Sequence, residues 1–376
     1  MMKKNIVMVN KFYYPTIGGI ESVVRQYADF CKEDYNVTVL CIASKPTKRT
    51  SIEYIDDVKV VRCSSLGIFK GLPLSLSFFK EFIRLSAKAD IIHGHYPFPL
   101  FDVCSIFIKN KNKVVTWHSE IVRQKYLKYL FSFFTKILVN RSFITVTSDS
   151  LKRNSKFLMN KNVQEDIFIL PLSISNPPYS VCKSRIKDIQ GRVLPDKYML
   201  SLGRIANYKG IDILLKAYTI SKKNIPLVIS GDGPLLNEII SEVMSTPELK
   251  DNVYILGRSV SEEEKHQLLS GCDFLLFPST LPSEAFGIVQ LEAMARGKAV
   301  INTNLNSGVP WVSTHGDTGL TCLPGNHIEL ANAIEHISSN DLYLQYGKNA
   351  RVRYEELFTD DIVKAQYLDM LKKLTN

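Results

Sequence analysis

Two successive series of short apolar segments, each followed by a helical segment, constrain the fold of this 376-residue chain most strongly. Such alternation is typical of a parallel sheet covered by helices. Strands of the first series are predicted at residues 6–9, 37–42, 58–61, 91–93, 113–116 and 142–147. Strands of the second series are predicted at residues 198–202, 227–230, 253–256, 274–277 and 299–303. We therefore expect an α/β protein of two Rossmann-like domains facing a cleft, with ligands at the carboxyl ends of the strands.

The boundary between the two series is marked by a change in pattern. A chain of this length suits two domains better than one core. Residues 171–192 are basic, weakly periodic and contain Asn176-Pro177-Pro178, which makes them the best linker. We predict an N-terminal domain over residues 1–180, a C-terminal domain over residues 190–358, and a final helical segment over residues 359–376.

The composition is that of a soluble globular protein, with 45% hydrophobic and 22% charged residues. No apolar run reaches the roughly 18–20 residues that span a bilayer. Asn10 and Lys11 end the first apolar run too early for a signal peptide. The seven cysteines are scattered without a C-x-x-C pair, which favours reduced thiols over disulfides or structural zinc. These features predict a cytoplasmic protein.

Positive charge is concentrated in the N-terminal half. Residues 1–190 contain 29 Lys and Arg against 15 Asp and Glu, a net charge of +14. Residues 191–376 contain 18 against 22, a net charge of −4. Such asymmetry indicates an anionic partner for one domain, and both nucleic acid and an anionic membrane are candidates.

Two carboxylates, Glu284 and Glu292, flank the predicted start of a buried helix over about residues 286–295. With Glu284 in the preceding loop, both carboxylates can face one ligand at the mouth of this helix. Unpaired backbone N–H groups from Phe286 and Gly287 onward attract anions there. Carboxylates accept hydrogen bonds from hydroxyls, and N–H groups bind phosphate. A sugar nucleotide presents both kinds of group.

Two other loops at strand ends are suited to phosphate. Gly18 and Gly19 follow the first strand and let the backbone approach a ligand closely, although such a pair also makes an ordinary tight turn. Arg204 and Lys209 follow the first strand of the second series. Arginine can bind a diphosphate through its planar fork and lysine as a point charge. The alternative for this pair is two surface cations beside a turn.

His118 follows the predicted strand at residues 113–116, in the N-terminal domain. A histidine at a strand end can orient a donor sugar or stabilise charge near the reacting carbon. A structural role is the alternative. His95 lies in another such loop and is predicted to meet the acceptor, as is Glu120 beside His118.

The two glutamates, with seven residues between them, follow a Phe-Pro-Ser sequence and resemble the E-x7-E signature of retaining glycosyltransferases of the family-4 type. Arg204 with Lys209 resembles the G-R…K-G element of that family, and Gly18-Gly19 resembles its glycine loop. The resemblance covers nearly the full chain and is strongest over residues 198–325. The sequence is also similar to a subgroup of bacterial O-antigen and capsular polysaccharide transferases.

This resemblance implies a GT-B fold whose last helix crosses back to the N-terminal domain. It implies that the N-terminal domain binds the acceptor and the C-terminal domain binds the nucleotide sugar. It further implies a retaining hexosyltransferase that needs neither a metal nor a cofactor other than its nucleotide diphosphate sugar. The acceptor implied is a glycan or a lipid-linked molecule.

The resemblance also assigns roles to residues of this chain. Glu284 would bind hydroxyls of the donor sugar, Glu292 the ribose, and Arg204 with Lys209 the diphosphate. The catalytic residues implied are His118 and Glu284. The donor-binding residues implied are Gly18, Gly19, Arg204, Lys209, Arg258, Phe286, Gly287 and Glu292, with Gly308 as a further phosphate contact.

Residues 121–141 form a basic and aromatic stretch that contains five Lys and Arg and no acid. A helix of this kind can lie on an anionic membrane surface, and residues 69–88 have a similar character. A core helix with solvated basic residues is the alternative. Because a lipid-linked acceptor requires the enzyme at the membrane, we expect peripheral attachment to the inner face of the plasma membrane.

Two rival functions follow from the same features. A sugar-nucleotide epimerase or hydrolase on the same architecture would turn over the donor without an acceptor. A nucleic-acid-binding protein would use the positive half and bind DNA or RNA in a salt-dependent manner. No recognised nucleic-acid motif is present, so no nucleic-acid partner is predicted.

Overall fold

The computed structural model describes residues 3–69, 71–108, 112–120, 125–159, 167–177, 185–222 and 225–375. The chain divides into two compact units. The first unit contains Met1–Pro171 together with Val363–Asn376, and the second contains Leu172–Ile362. Part of the predicted linker, residues 178–184, lies outside the described residues.

In its described part, the first unit contains an eight-stranded sheet and a separate hairpin. The strands are β1 (Lys4–Val9), β2 (Tyr35–Ile42), β3 (Ser51–Ile55), β4 (Val58–Cys63), β5 (Gly67–Phe69), β6 (Leu72–Leu74), β7 (Ile91–Tyr96), β8 (Lys113–Trp117), β9 (Phe143–Val146) and β10 (Ile167–Ile169). The sheet order is β10-β9-β8-β7-β1-β2-β4-β3, and only the β3–β4 pair is antiparallel. All residues of β7 and β8 are buried, as expected for parallel strands covered on both faces.

The antiparallel edge strand β3 was not predicted. Asp56 and Asp57, which join β3 to β4, both have positive φ angles of 49° and 67°. Two such residues form the short turn whose twist matches a hairpin, and aspartate tolerates this conformation better than most residues. The Asp-Asp pair was therefore the available signal. β3 extends the sheet beyond its parallel part.

Helices of the first unit cover this sheet. They are α1 (Gly19–Cys31), α2 (Leu76–Ser86), α3 (Pro99–Ser105), α4 (Lys125–Asn140) and α5 (Asp149–Asn154). The last helix of the chain, which we label α14 (Asp360–Thr375), joins this unit from Val363 onward. Its Tyr367 is fully buried, stacks on Tyr27 of α1 and hydrogen-bonds His93 of β7. None of the described helices is both long and apolar enough to cross a bilayer.

The described part of the second unit contains a six-stranded, all-parallel sheet. Its strands are β11 (Met199–Leu202), β12 (Leu227–Ser230), β13 (Val253–Ile255), β14 (Phe274–Leu276), β15 (Ala299–Thr303) and β16 (Gly319–Cys322). The remaining helices are α6 (Ile211–Ile220), α7 (Leu236–Ser245), α8 (Pro247–Lys250), α9 (Glu262–Gly271), α10 (Ile288–Met294), α11 (Val309–Val312), α12 (His327–Ser338) and α13 (Leu342–Leu357). Short 3-10 turns occur at Asn207–Lys209 and Ser339–Asp341.

The strand order of the second sheet determines where a ligand can bind. The order β13-β12-β11-β14-β15-β16 reverses direction between β11 and β14. In open parallel sheets, the loops leaving the two strands at such a switch point diverge and leave a crevice at the carboxyl edge. The first sheet reverses in the same way between β1 and β7. All of the predicted strands are present, and the predicted site residues lie in or after these strands.

Candidate active site

The loop after β11 and the loop after β14 lie against each other at the switch point of the second unit. Gly210 has a φ of 68°, and a Cβ atom added to it would lie 2.2 Å from the carbonyl oxygen of Pro278. Only glycine therefore allows this close approach. The backbone N–H of Thr280 donates to the carbonyl of Tyr208 at 2.8 Å and ties the two loops together. This contact places Lys209 beside the loop that carries Glu284.

Lys209 and Glu284 form an ion pair whose Nζ–Oε2 distance is 2.5 Å. Their side chains are only 15% and 13% exposed. The Lys209 ammonium also lies 4.8 Å from the ring centroid of Phe277, which attracts a cation through its π face. Two charges held in a largely buried site require each other, because either one alone would be poorly solvated. The sequence predicted both residues, and the structure brings them into direct contact.

A second ion pair holds the other glutamate. Glu292 lies on α10, and its Oε1 atom is 2.6 Å from Nζ of Lys265 on α9. Burial lowers the pKa of Lys265, but the carboxylates of Glu292 and Glu262 together outweigh this effect and raise the pKa. Lys265 was missed by the sequence analysis. It follows three consecutive glutamates on a charged helix, a pattern that does not distinguish it from a surface cation.

A cavity of about 640 Å³ opens at the carboxyl edge of this sheet. Arg204, Lys265 and Glu292 line it, together with Ile288 and Val289 at the start of α10 and the loops after β12 and β13. Arg204 is exposed and also lines the narrow space that contains Lys209 and Ser279. The cavity therefore combines two cations with two carboxylates, those of Glu292 and Asp232. This is a suitable environment for a ligand that carries both phosphates and hydroxyls.

The glycine turn after β12 forms part of the cavity wall. Gly231 has a φ of 149°, and a Cβ atom there would lie 1.8 Å from the carbonyl oxygen of Gly203. The two glycines keep the backbones of neighbouring strand ends in contact and leave the space in front of them open. The close packing of Gly231 against Gly203 gives this turn a structural role.

The helix that carries Glu292 begins later than predicted. It extends over Ile288–Met294 rather than from about residue 286 to residue 295. Gly287 has a left-handed φ of 81°, which is incompatible with a helical residue at that position. The Phe286 side chain is buried against Trp311 and Phe358, so any donor contact of Phe286 would come from its backbone.

Two other groups predicted to contact the donor have hydrogen-bond partners within the chain. Arg258 is exposed and donates from both terminal nitrogens to the Glu264 carboxylate at 2.8 and 2.5 Å. The backbone N–H of Gly308 donates to the carbonyl of Ala285 at 2.7 Å. Contacts of Arg258 and Gly308 with a donor remain predictions.

In the first unit, the predicted glycine pair begins α1. Gly18 has an extended φ of −169°, so its conformation does not require glycine. A Cβ atom there would nevertheless lie 2.2 Å from a carboxylate oxygen of Glu21. Burial raises the pKa of Glu21. Gly19 is exposed with open space around it. A donor contact of either glycine remains a prediction.

His118 belongs to a chain of buried histidines at the carboxyl ends of β7 and β8. Its Nε2 atom is 2.9 Å from Nδ1 of His95, and the two rings are stacked. The ring of His93 stacks on that of His95. His93 also contacts the Tyr367 hydroxyl and the Thr116 hydroxyl, each at 2.7 Å. One continuous network therefore connects α14 to His118.

Burial keeps these histidines neutral. It lowers the pKa of His118 and of His93 to about 3, and it lowers the pKa of His95 well below its usual value. A neutral imidazole can orient a sugar by hydrogen bonding, but it does not supply a full positive charge. Of the two roles predicted for His118, this environment favours orientation of the donor over charge stabilisation.

The position of the shared proton follows from the partners of His95. Its Nε2 atom is buried, with no hydrogen-bond partner among the described groups. An unpaired acceptor is easier to accommodate than an unpaired N–H, so we assign the proton of His95 to Nδ1. His95 then donates to Nε2 of His118, which carries its own proton on Nδ1. His95 is fully buried, and Glu120 accepts hydrogen bonds from Ser155 and Trp117. Contacts of His95 and Glu120 with the acceptor substrate remain predictions.

The buried histidines predict a loss of stability in mild acid. Between pH 6.5 and about 3, the unfolded chain binds a proton at residue 93 that the folded chain does not. The free energy of unfolding therefore falls as the pH falls, by about 1.4 kcal/mol per pH unit for this one group. Between pH 6 and 4, we expect His93→Gln to reduce the slope of the free energy of unfolding against pH by about this amount. The free energy is measured by urea-induced unfolding at each pH.

Comparing the pH dependence of the free energy of unfolding between the wild type and His93→Gln isolates the contribution of His93 from that of other groups. Burial raises the pKa of Asp102 to about 7, and this carboxyl works in the opposite direction over the same range. Its contribution is common to the wild type and the variant and cancels in the difference. Equal slopes for the two proteins would show that His93 is protonated in the folded state.

No metal-binding cluster accompanies these residues in the described part of the chain. There, no group of three or more His, Cys, Asp or Glu side chains is arranged to hold a metal ion. Six cysteines are buried and unpaired, and Cys182 lies outside the described residues. Metal independence remains a prediction.

Two family models match this chain, one in each half. The model described as glycosyl transferases group 1 matches residues 183–353. The model described as glycosyltransferase family 4 matches residues 17–169. Together they include all of the predicted site residues.

Curated proteins and solved structures are similar over nearly the whole chain. An O-antigen chain mannosyltransferase C of Escherichia coli is 30% identical over 373 residues, which cover 98% of each chain. D-rhamnosyltransferase WbpZ of Pseudomonas aeruginosa is 31% identical over 349 residues, covering 92% of this chain and 89% of the relative. The structure of Anabaena HepE in complex with UDP and glucose matches with a TM-score of 0.72 at 19% identity. The match covers 98% of this chain and 100% of the HepE chain. This likeness shows the GT-B fold.

Proposed function

Because this chain belongs to the group 1 and family 4 glycosyltransferases, we propose that it transfers a hexose from a nucleotide diphosphate sugar to a glycan acceptor and retains the anomeric configuration. The observation that carries this proposal is the pair of buried Lys–Glu contacts at the switch point of the second unit. Lysines at these positions can meet phosphates, and glutamates can meet sugar and ribose hydroxyls. A nucleotide diphosphate sugar carries both kinds of group.

Each side chain has a defined task in this proposal. Arg204 and Lys209 bind the diphosphate and stabilise the negative charge that grows as the glycosidic bond breaks. Glu284 accepts hydrogen bonds from the donor sugar, and Glu292 accepts them from the ribose. Lys265 holds the Glu292 carboxylate in place. His118, as a neutral imidazole, orients the donor sugar by donating from Nδ1.

The reaction proposed leaves the protein chemically unchanged. The bond between the anomeric carbon and the diphosphate oxygen breaks, and the acceptor hydroxyl forms the new bond on the same face of the sugar. The departing diphosphate oxygen takes the acceptor proton. Configuration is therefore retained without a covalent enzyme intermediate or a metal ion.

We also propose a place for this reaction in bacterial surface polysaccharide assembly. The names of the relatives support a mannose-type or rhamnose-type sugar and an O-antigen chain as the product. The bound UDP in HepE supports a nucleotide diphosphate donor. A growing glycan or lipid-linked acceptor lies at the inner face of the membrane, so the enzyme would be cytoplasmic and peripherally attached there.

A panel of sugar nucleotides tests donor binding directly. At about 100 times the dissociation constant, a ligand adds about 2.7 kcal/mol of stability. We expect the cognate donor to raise the Tm of the wild type by about 5 °C. Lys209→Ala and Glu292→Ala should each weaken donor binding by about 10-fold or more and lose at least about half of this shift, because each removes a charged contact.

The matched control is Lys216→Ala, which removes an exposed lysine of α6 away from the cavity. Its shift should equal that of the wild type. Similar shifts in the wild type and both site variants would contradict the site assignment. Turnover of donor without acceptor at the full rate would identify an epimerase or hydrolase instead.

A further inference from the structure

The small hairpin of the first unit presents an unusually apolar surface to solvent. β5 and β6 pair with each other and with no other described strand. Ile68 and Phe69 are adjacent in β5 and are 50% and 57% exposed. Neighbouring residues of a strand point to opposite faces. Exposure of both therefore shows that the hairpin stands out from the rest of the unit.

The exposed apolar surface continues along the chain on both sides of the hairpin. It includes Leu66, Leu74, and Leu76 at the start of α2, where Leu76 is 82% exposed. Phe79, one turn further along α2, is 45% exposed and packs edge-on against the exposed Phe107. We call these residues the hairpin face: Leu66, Ile68, Phe69, Leu74, Leu76 and Phe79. Contiguous exposed apolar residues of this kind mark an interaction site.

A loop that carries three cationic side chains is hydrogen-bonded to the chain just before the hairpin. Thr47 exchanges two backbone hydrogen bonds with Ser65, at 2.9 and 3.1 Å, just before β5 begins. The same loop carries Lys45, Lys48 and Arg49, all exposed and with no ion pair to any described residue. We call these three residues the cationic loop.

The acids near this surface already have partners. Glu53 is paired with Arg62 at 2.6 Å, and Glu81 on α2 is paired with Arg84 at 2.6 Å. The positive charge of the cationic loop is therefore not neutralised locally. It adds to the net +14 of residues 1–190.

We propose that the hairpin face inserts into the interfacial region of an anionic lipid bilayer while the cationic loop contacts the lipid headgroups. The proposal rests on the proposed function, since a lipid-linked acceptor has to be reached at the membrane. An apolar tip with cations at its base matches the two layers of a bilayer surface, acyl chains and anionic headgroups. A protein partner would need a shaped groove for this tip, whereas a bilayer accepts it from any direction.

This surface differs from the one that sequence patterning favoured. Of the basic stretch at residues 121–141, residues 121–124 lie outside the described residues, and residues 125–140 form α4. The second stretch, residues 69–88, includes part of the hairpin face. Leu66 and Ile68 precede this stretch in the sequence, whereas the cationic loop joins it through the fold.

Co-flotation of the full chain with vesicles tests the proposal. The wild type should float with phosphatidylglycerol-rich vesicles and not with vesicles of phosphatidylcholine alone. Phe69→Glu combined with Leu76→Glu should lower binding about 100-fold, since each apolar side chain contributes roughly a factor of ten. Ile328→Glu combined with Leu344→Glu is the matched control, because it changes the charge equally at exposed apolar residues of the second unit.

Neutralising the cationic loop tests the electrostatic part separately. Lys45, Lys48 and Arg49 changed together to glutamine should lower binding to anionic vesicles about 100-fold, since each cation near the surface contributes roughly a factor of five. The control changes the exposed Lys216, Lys250 and Lys348 to glutamine. Phe69→Trp provides a readout without added charge, and its fluorescence should shift to the blue on anionic vesicles.

Several results would overturn the proposal. These are equal binding of site and control variants, equal binding to neutral and anionic vesicles, and unchanged fluorescence of the Phe69→Trp variant. A wild-type dimer that the hairpin variants convert to monomers would assign the face to a second copy instead. Donor thermal shifts without vesicles are measured in parallel. Loss of flotation with intact donor shifts refutes only the docking surface, whereas flotation without donor shifts refutes only the proposed function.

Discussion

Lys209→Ala is expected to reduce kcat about 1,000-fold, the largest effect on catalysis of any single substitution considered for this enzyme. In the proposed reaction, Lys209 neutralises charge that grows on the leaving diphosphate, and removing one such group typically costs about 10²- to 10³-fold. Its side chain is mostly buried beside Glu284, so solvent cannot replace the missing charge well. The measurement is the initial rate of sugar transfer at saturating donor and acceptor, with folding checked by circular dichroism.

The ion pair gives this prediction an internal control. Glu284→Gln should also lower kcat strongly, because a neutral amide binds the donor sugar less well. If the two residues act through their contact, the double variant should lose less activity than the product of the two single losses. The matched control is Lys216→Ala, for which we expect wild-type kcat. Lys209→Ala activity within a factor of about three of wild type would remove Lys209 from the catalytic site.

Asn302→Ala is expected to lower the free energy of unfolding of the second unit by about 3 kcal/mol or more. Asn302 lies in β15 and is completely buried. Its Nδ2 donates to the Gln290 side-chain oxygen at 2.9 Å and to the carbonyls of Val309 and Ser313 at 3.1 and 3.0 Å. Its Oδ1 accepts from the Thr321 hydroxyl at 2.8 Å. Alanine would leave these buried groups without partners, and urea-induced unfolding measures the loss.

Asn302→Asp provides a sharper test, because aspartate has the same shape as asparagine. An aspartate would place an acceptor against the three oxygens that now share the Nδ2 hydrogens, so we expect a loss at least as large as for alanine. Asn304→Ala is the matched control, because Asn304 is exposed two residues later in the chain and should change stability by less than about 0.5 kcal/mol. A similar loss at residues 302 and 304 would contradict the role assigned to the buried amide.

Asn302 also links the fold to the cavity of the candidate active site. Through Gln290 it holds α10, which carries Glu292 and contributes Ile288 and Val289 to the cavity wall. We therefore expect a smaller donor-induced shift in Tm for Asn302→Ala than for the wild type. The buried amide of Asn302 therefore matters for the site because it fixes the position of α10.

Local patterns in the sequence were sufficient for eleven of the sixteen described strands and for selecting many of the candidate site residues. A parallel strand buried on both faces requires a short continuous apolar run, and each predicted run became a strand. Glu284, Glu292, Arg204 and Lys209 were identified because they follow such runs, where parallel sheets bind ligands. The start of α10 was misplaced, because an apolar residue such as Phe286 fits a buried loop as well as a helix.

Other parts of the site depend on contacts between segments that are distant in sequence. Lys265 meets Glu292 across 27 residues, and His93 meets Tyr367 across 274 residues. No periodicity encodes such a contact, because it arises only when the sheet brings separate strand ends and helices together. The cationic loop likewise joins the hairpin face only through backbone pairing of Thr47 with Ser65.

The amino-acid sequence alone determined where this chain forms most of its strands and which charged residues follow them, because hydrophobic periodicity and strand-end position are local properties. The tertiary structure decided how those charges are neutralised and which ring nitrogen of His95 and of His118 carries the proton. Burial makes an unpaired charge or polar group costly, so the partner of each buried group controls its state, and that partner is known only once the chain is folded.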